Sequence, residues 1–139
     1  MDFVADVPVP PRLREPLAAL LRSETIRSEV SVWPDSLTPD ELRALVEHGV
    51  GPLVYARLRL PQLRQDAIHA AAHEPLRTAD LAEVLSALAA RGVDVLILKG
   101  TALAYDLYPA AELRPRSDTD LLIARDDARA RLRGASLER

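Results

Sequence analysis

The 139-residue sequence contains no cysteine, and this absence excludes disulfide bonds, thiolate nucleophiles and cysteine-ligated zinc sites. It also lacks a long apolar run. The N-terminal segment, MDFVADVPVPPRLREP, is acidic and proline-rich, without a positively charged start or a continuous hydrophobic stretch. We therefore expect neither a secretory signal nor a transmembrane helix, and we expect a cytoplasmic protein that does not associate with membranes.

Positive charge is limited as well. The chain has 18 Lys and Arg residues against 21 Asp and Glu residues, and its formal net charge is −3. Binding of bulk duplex nucleic acid needs a field of basic side chains that neutralises phosphates, so we do not expect it here. A few local donors can still hold one phosphate-bearing small ligand. The basic residues are nearly all arginine, with abundant Ala and Leu, a bias associated with GC-rich bacterial genomes.

Histidine is scarce, and only His48, His69 and His73 are present. His69 and His73 are four residues apart, a spacing that places two imidazoles on one face of a helix. They are either surface residues of an alanine-rich helix or a metal-binding pair. We favour the first interpretation because no acidic or histidine-rich motif accompanies them.

The length is that of one ordinary domain. Apolar residues at helical spacing, with capping residues and stop signals, predict helices over most of residues 1–92. After a flexible, proline-rich start, these helices cover residues 13–23, a capped segment from Thr38 to the stop at Gly49, a short segment ending before Pro61, residues 62–73, and a segment after Pro75 that Gly92 closes.

After Gly92 the apolar pattern changes to that of short buried strands. We predict a strand over residues 93–98, a turn at Gly100, a helix over 101–108, a loop over 110–117, a strand over 118–123 and a helix from 126 to 133 that stops at Gly134. The predicted fold class is α+β: a helical region, residues 1–92, followed by an α/β-like β-α-β-α unit, residues 93–139.

The second strand carries two aspartates, Asp118 and Asp120. On a strand they point to the same face, roughly 6 to 7 Å apart, and at that separation they can bind one Mg²⁺ or two ions. Alternatively, Asp118 is a turn residue and Asp120 a solvated strand position. The run Leu121–Ile123 favours the metal site, because we expect it to be buried on both sides, where an unpaired acidic pair is costly.

The first strand leads into Lys99, Gly100 and Thr101. A glycine between a strand and a helix brings backbone N–H groups together at a helix N-terminus, which suits an anion, and glycine tolerates a positive φ. Thr101 adds a hydroxyl donor, and Lys99 can reach a phosphate or pair with an aspartate. Arg114 and Arg116 can bind a triphosphate. Each residue also has a purely structural interpretation: a turn, a surface lysine or a solvated loop.

The order of these elements is similar to that of the nucleotidyltransferase superfamily that includes DNA polymerase beta. Its signature is an apolar residue, Gly, then Gly or Ser, and later Asp-x-Asp between apolar residues. The string LKGTALAYDLYP…LRPRSDTDLLI, with the upstream HGVGPLVYARL, more narrowly resembles a bacterial family of uncharacterised nucleotidyltransferases. The resemblance covers roughly residues 42–134.

The resemblance implies a transfer of NMP from a nucleoside triphosphate, ATP for example, to an acceptor hydroxyl, with pyrophosphate released. Asp118 and Asp120 would be the catalytic carboxylates that bind Mg²⁺, two ions in the superfamily. The triphosphate would be held by a set of nearby donors: Lys99, Gly100, Thr101, Arg114 and Arg116. The acceptor, a protein or a small molecule, is not identified by the resemblance.

The sequence departs from the superfamily pattern at two points. Thr101 stands where Ser or Gly is usual, and its β-branch crowds the turn. After Ile123 the acidic residues are Asp126, Asp127 and Glu138, and the first two suit a helix cap as well as a third carboxylate site. We therefore expect a core that is incomplete at its C-terminus. The alternative to an active transferase is a truncated or non-catalytic module of the same fold that binds a nucleotide or a protein.

Overall fold

The computed structural model describes residues 8–22 and 33–130. Their helices are α1 (Pro11–Arg22), α2 (Pro39–Glu47), α3 (Gly51–Leu58), α4 (Arg64–Ala89), α5 (Lys99–Asp106) and α6 (Arg125–Ala130), and their strands are β1 (Val95–Leu98) and β2 (Asp120–Ile123). Short 3₁₀ turns cover Pro61–Leu63 and Ala111–Leu113. The predicted α+β class is confirmed. The start of the proline-rich lead-in, residues 131–133 of the last predicted helix and its stop at Gly134 lie outside the described residues.

The hydrophobic core lies among the first helices. Five buried side chains form one cluster: Leu13, Leu17, Leu45, Val54 and Leu63. Trp33, Leu37 and Tyr55 are partly buried and pack against this cluster. Burial of such apolar surface is the main favourable term in folding, so this cluster holds α1, α2 and α3 together.

The start of α2 follows the predicted capping box. The Thr38 backbone N–H donates to Glu41 Oε2 at 2.8 Å, and the Glu41 N–H donates to Thr38 Oγ1 at 3.3 Å. The other oxygen of the buried Glu41 carboxylate pairs with Arg12 Nε at 3.1 Å. One glutamate therefore both caps α2 and joins it to α1. Gly49 ends the helix with a φ of +66°, as the sequence predicts.

The prediction of two helices separated at Pro75 is wrong, because α4 is one helix of 26 residues with Pro75 inside it. A proline in a helix interior removes one backbone hydrogen bond and costs about 3 kcal/mol. The helix continues because alanine-rich turns flank Pro75 and because the neighbouring Glu74 is fixed by contacts from another element, described below. Within residues 8–22 and 33–130, no helix has the length and apolar character needed to cross a bilayer.

The two strands pair antiparallel, with Val95 opposite Ile123 and Leu98 opposite Asp120. Both are shorter than predicted, and Asp118 precedes β2 instead of lying within it. The expectation that the apolar run of β2 is buried on both sides is also wrong. Leu122 is 54% exposed, and its partner Leu96 is 58% exposed, because α4 lies near the opposite face, where Leu121 lines a cleft with α4 residues.

A carboxylate lies at the junction of α3 and α4. Asp66 Oδ2 is buried against Gly51 and has no hydrogen-bond partner among the described residues. A side chain at residue 51 would overlap that oxygen, so Gly51 permits the approach. Burial raises the pKa of Asp66 above its usual value, and the charge of His69 opposes this rise.

The raised pKa makes Asp66 a pH-dependent destabilising group. Its folded-state pKa lies above the unfolded value of about 3.9. The contribution of Asp66 to the free energy of unfolding is therefore most favourable below that pH, and it falls as pH rises through the folded-state pKa. We expect Asp66→Asn to raise the free energy of unfolding at pH 7 and to gain less at pH 4, as measured by urea denaturation. Asp80→Asn, at an exposed position of the same helix, is the control. Its effect on the free energy of unfolding should be the same at pH 7 and at pH 4. A gain independent of pH would contradict the assignment.

Candidate functional site

The candidate site lies where β1 ends and β2 begins. Because Leu98 is opposite Asp120 in the sheet, the first turn of α5 lies beside the acidic segment that leads into β2. The two residues on either side of Gly100 contact this segment: Lys99 pairs with Asp120, and Thr101 contacts Asp118 and Thr119.

Lys99 forms the central contact of the site. Its Nζ lies 2.9 Å from Asp120 Oδ2, and the side chains are 75% and 39% exposed. The hydrogen bond and the charge of Asp120 raise the pKa of Lys99 above its usual value; desolvation opposes this slightly, and the charge of Asp118 adds to it. Both aspartates thus act on one ammonium group.

The left-handed backbone of the turn belongs to Lys99 and not to Gly100. Lys99 has a φ of +51° and is one of two non-glycine residues with a positive φ among the described residues. A Cβ at Gly100 would meet only Arg116 Cβ, at 4.0 Å. No side chain caps α5 at Leu98, so the first N–H groups of the helix, including that of Gly100, lack intrahelical acceptors and can bind an anion.

Thr101 holds the acidic segment against α5. The residue is 1% exposed, and its hydroxyl lies 3.0 Å from the Thr119 hydroxyl and donates to the Asp118 carbonyl at 3.3 Å. These contacts join the helix to the two residues that directly precede β2. The Thr101 hydroxyl is therefore engaged by protein atoms, and the group of this residue left for a ligand is its backbone N–H.

Arg116 is paired with a residue of α4 that the sequence did not indicate. Its Nη2 and Nη1 donate to Glu74 Oε1 at 2.8 Å and Oε2 at 3.0 Å, and the two side chains are 6% and 12% exposed. Tyr105 Oη donates to the same carboxylate at 3.0 Å and accepts from Arg116 at 3.1 Å. No local pattern reveals Glu74, since its partner is 42 residues away.

The ionisation of this pair follows from its contacts. Burial alone would raise the pKa of Glu74, but the hydrogen bonds from Arg116 and Tyr105 and the arginine charge outweigh it and lower that pKa below its usual value. Burial likewise opposes the charge of Arg116, and Glu74 reverses this, so the pKa of Arg116 is raised. Both groups are charged at neutral pH, and the pair fastens the acidic segment to α4.

Arg114 is also held by protein atoms. Its guanidinium carbon lies 5.7 Å from the centre of the Tyr108 ring, a cation–π distance. Its Nε is buried without a hydrogen-bond partner among the described residues. The structure thus brings Lys99, Gly100 and Thr101 to the aspartates, while the side chains of Arg114 and Arg116 pack within the protein.

A cleft of about 270 Å³ separates α4 from the segment that ends in Asp118 and Thr119. Leu81, Val84 and Leu121 form its apolar part, and Arg77 is a polar side chain of its wall. Arg77 is half-buried and pairs with no described carboxylate. A half-buried guanidinium without a counter-ion is a good anion contact. No local pattern indicated Arg77, because its position in the cleft depends on where α4 packs.

The donor set fits a divalent cation that a ligand helps to bind. Among the described parts of the chain, no cluster of three or more His, Asp or Glu side chains is arranged for a metal. The exposed His69 and His73 lie on α4 with ring centres 4.2 Å apart and ring planes tilted by 54°. Asp118 and Asp120 offer two carboxylates, and one of them, Asp120, already pairs with a cationic group, the Lys99 ammonium. Mg²⁺ is often bound by one or two carboxylates with substrate phosphates completing its shell.

One comparison with known proteins found a match. The sequence model of one protein family, described as "Uncharacterised nucleotidyltransferase", matches residues 37–133, well over half of the chain. The chain belongs to this family. No curated protein and no solved structure matches the chain. The matched range includes Glu74 and Arg77 as well as the turn at Lys99 and the two aspartates.

The Glu74–Arg116 pair generates a stability prediction. Glu74→Gln removes the charge that compensates a buried guanidinium, so we expect the free energy of unfolding at pH 7 to fall by on the order of 2 kcal/mol. The pair's contribution is present above the unfolded pKa of Glu, about 4.3, and is lost as pH falls through the lowered folded-state pKa. The difference between variant and wild type in urea denaturation therefore shrinks in acid. The exposed Glu83→Gln on α4 is the control; equal effects of the two variants would contradict the assignment.

Proposed function

We propose that this nucleotidyltransferase-type domain is metal-dependent and transfers NMP from a nucleoside triphosphate to an acceptor hydroxyl. The observation that supports the proposal best is the Lys99–Asp120 contact, which joins the first residue of α5, a helix with an uncapped N-terminus, to one of the two carboxylates. Carboxylates bind the metal, and the positive groups bind phosphate.

Each side chain then has a role. Asp118 and Asp120 hold Mg²⁺, which when bound supplies positive charge at the transferring phosphoryl group and favours the ionised acceptor hydroxyl. The N–H groups of Gly100 and Thr101 bind phosphate oxygens, and Lys99 neutralises phosphate charge. The overall reaction forms a bond from the acceptor oxygen to the α-phosphorus and breaks the bond to pyrophosphate.

The arginine assignments differ in their support. Arg114 and Arg116 as triphosphate ligands stay a prediction, and their contacts with Tyr108 and Glu74 favour a structural role. Arg77 lines the cleft that Asp118 borders, and it has no described counter-ion. We therefore assign the anion contact on this side of the site to Arg77.

A second function, nucleotide binding without transfer, is favoured by one observation. No third carboxylate joins Asp118 and Asp120 within residues 8–22 and 33–130, and the superfamily's usual base for the acceptor is a third carboxylate. The two functions differ in one assay, incubation of the full chain with labelled nucleoside triphosphates and a bacterial cell extract. Label transferred to an extract component supports the transferase, and binding without transfer supports the second function.

The carboxylate pair generates the central prediction. Calorimetry with Mg²⁺ and a non-hydrolysable nucleoside triphosphate should show at least tenfold weaker binding for Asp118→Asn combined with Asp120→Asn, because the protein's metal ligands are lost. Asp94→Asn, an exposed aspartate outside the site, is the control and should bind as wild type does. Equal affinity of the double variant and wild type would remove the metal-site assignment.

Arg77 and Arg116 should behave differently. We expect Arg77→Gln to weaken binding of the same analogue about tenfold, since one charge-assisted hydrogen bond is lost, and to leave the free energy of unfolding unchanged. Arg116→Gln should lower the free energy of unfolding, because it leaves Glu74 unpaired. Arg64→Gln, at the exposed start of α4, is the control. Wild-type affinity in Arg77→Gln would exclude its contact with the ligand.

A further inference from the structure

Lys99 occupies a position that a bound metal requires. Its ammonium nitrogen is 2.9 Å from Asp120 Oδ2, and the charge of Asp118 also acts on it. A divalent ion coordinated by the same carboxylates would lie within a few ångströms of this ammonium, and like charges at such distances repel each other even at the surface of a protein. The metal and the present position of Lys99 therefore exclude each other.

The backbone of Lys99 adopts a conformation that is unfavourable for a lysine. At a φ of +51° glycine is free of strain, whereas a residue with a Cβ is disfavoured. The side chain is 75% exposed and forms an ion pair with Asp120. The ammonium is therefore the group of this lysine for which the structure shows a partner.

The location of Lys99 allows its charge to pair with a second group, a phosphate bound at the N-terminus of α5. Lys99 is the first residue of α5, whose uncapped N–H groups bind phosphate under the proposed function. A lysine side chain is flexible and acts as a point charge, and this one is 75% exposed. It can therefore move from Asp120 to a phosphate at the helix N-terminus without rearrangement of the backbone.

We propose that Lys99 couples metal binding to nucleotide binding. In the nucleotide-free protein, the Lys99 ammonium pairs with Asp120 and opposes the binding of uncomplexed Mg²⁺ to Asp118 and Asp120. A complex of the metal with a triphosphate binds instead. Its phosphates attract the Lys99 ammonium away from Asp120, and its metal ion binds the two carboxylates. The inference rests on the proposed function of this site and adds an order to it: the metal arrives with the nucleotide.

Charge balance explains why both ligands are needed. Free Mg²⁺ would leave two carboxylates facing a divalent ion and an ammonium with no anion to compensate the excess positive charge. The triphosphate supplies that anion. By linkage, the nucleotide then raises the affinity for the metal by the same factor by which the metal raises the affinity for the nucleotide.

The test measures Mn²⁺ binding by electron paramagnetic resonance of the free ion, with and without a non-hydrolysable nucleoside triphosphate, and protein-free solutions give the Mn²⁺ that the triphosphate binds by itself. The full-length wild-type chain should bind free Mn²⁺ weakly and bind it at least about fivefold more tightly with the analogue. Lys99→Gln should bind free Mn²⁺ at least about fivefold more tightly than wild type does, and the analogue should then add little. Its affinity for the analogue at saturating Mn²⁺ should be lower than that of wild type.

Two further variants sharpen the result. Arg43→Gln removes one positive charge from an exposed pair with Asp40 on α2, so it controls for net charge and should bind Mn²⁺ as wild type does. Lys99→Gly removes the same charge as Lys99→Gln and relieves the left-handed backbone. It should bind Mn²⁺ as tightly as Lys99→Gln does. Equal affinities of the two variants show that the gain over wild type comes from the loss of charge and not from a change in backbone strain.

The outcomes separate this inference from the function it rests on. If Lys99→Gln binds free Mn²⁺ no more tightly than wild type does, while both bind it with the analogue, the coupling role is wrong and the proposed function stands. If wild type and variants all fail to bind Mn²⁺ with or without the analogue, the proposed function and the coupling role both fail.

Discussion

The ion pair between Glu74 and Arg116 is the contact on which the geometry of the site depends. Arg116 lies two residues before Asp118, and both of its terminal nitrogens bind the Glu74 carboxylate of α4. Buried pairs of this kind add little net stability relative to apolar residues, but breaking one is costly because it leaves a buried charge. Here the pair selects one position for the segment that leads into β2.

Thr101 fixes the same segment from the other side. Its hydroxyl contacts Thr119 and the Asp118 carbonyl, so the two aspartates are held between α4 and α5 by side-chain contacts at their neighbours. The aspartate carboxylates themselves are left to Lys99 and to solvent. Protein contacts thus position the acidic segment without consuming the groups proposed to bind the ligand.

Most of the helical fold follows from local chemistry, and the sequence therefore predicted it. The capping box at Thr38 and Glu41 and the stop at Gly49 involve residues close in sequence, and their hydrogen bonds form as expected. The break at Pro75 was wrong because the local preference of proline competes with packing from residues far along the chain. Glu74, its neighbour, is held by a partner 42 positions away, and no local pattern contains that information.

The site was predictable to a similar degree. The order strand, glycine turn, helix and acidic strand was enough to predict that the start of α5 lies near the acidic segment, and a lysine pairing with an aspartate was among the alternatives. Two features of the site were not predicted from the sequence, and each has a physical reason. The left-handed residue is Lys99, although glycine is the residue that usually tolerates this conformation, and Arg116 is neutralised by a helix whose position depends on tertiary packing.

The open face of the sheet bears on how tightly these carboxylates can bind a cation. Asp120 shares its face with the exposed Leu122, and its side chain is 39% exposed, so water screens its charge. A strand buried on both sides would have given a dry site with strong protein–metal attraction. A hydrated pair of carboxylates attracts a metal less, and Mg²⁺ gives up its own water reluctantly. Under the proposed function, the additional attraction comes from the anionic ligand, and this is the physical condition for the metal and the nucleotide to bind together.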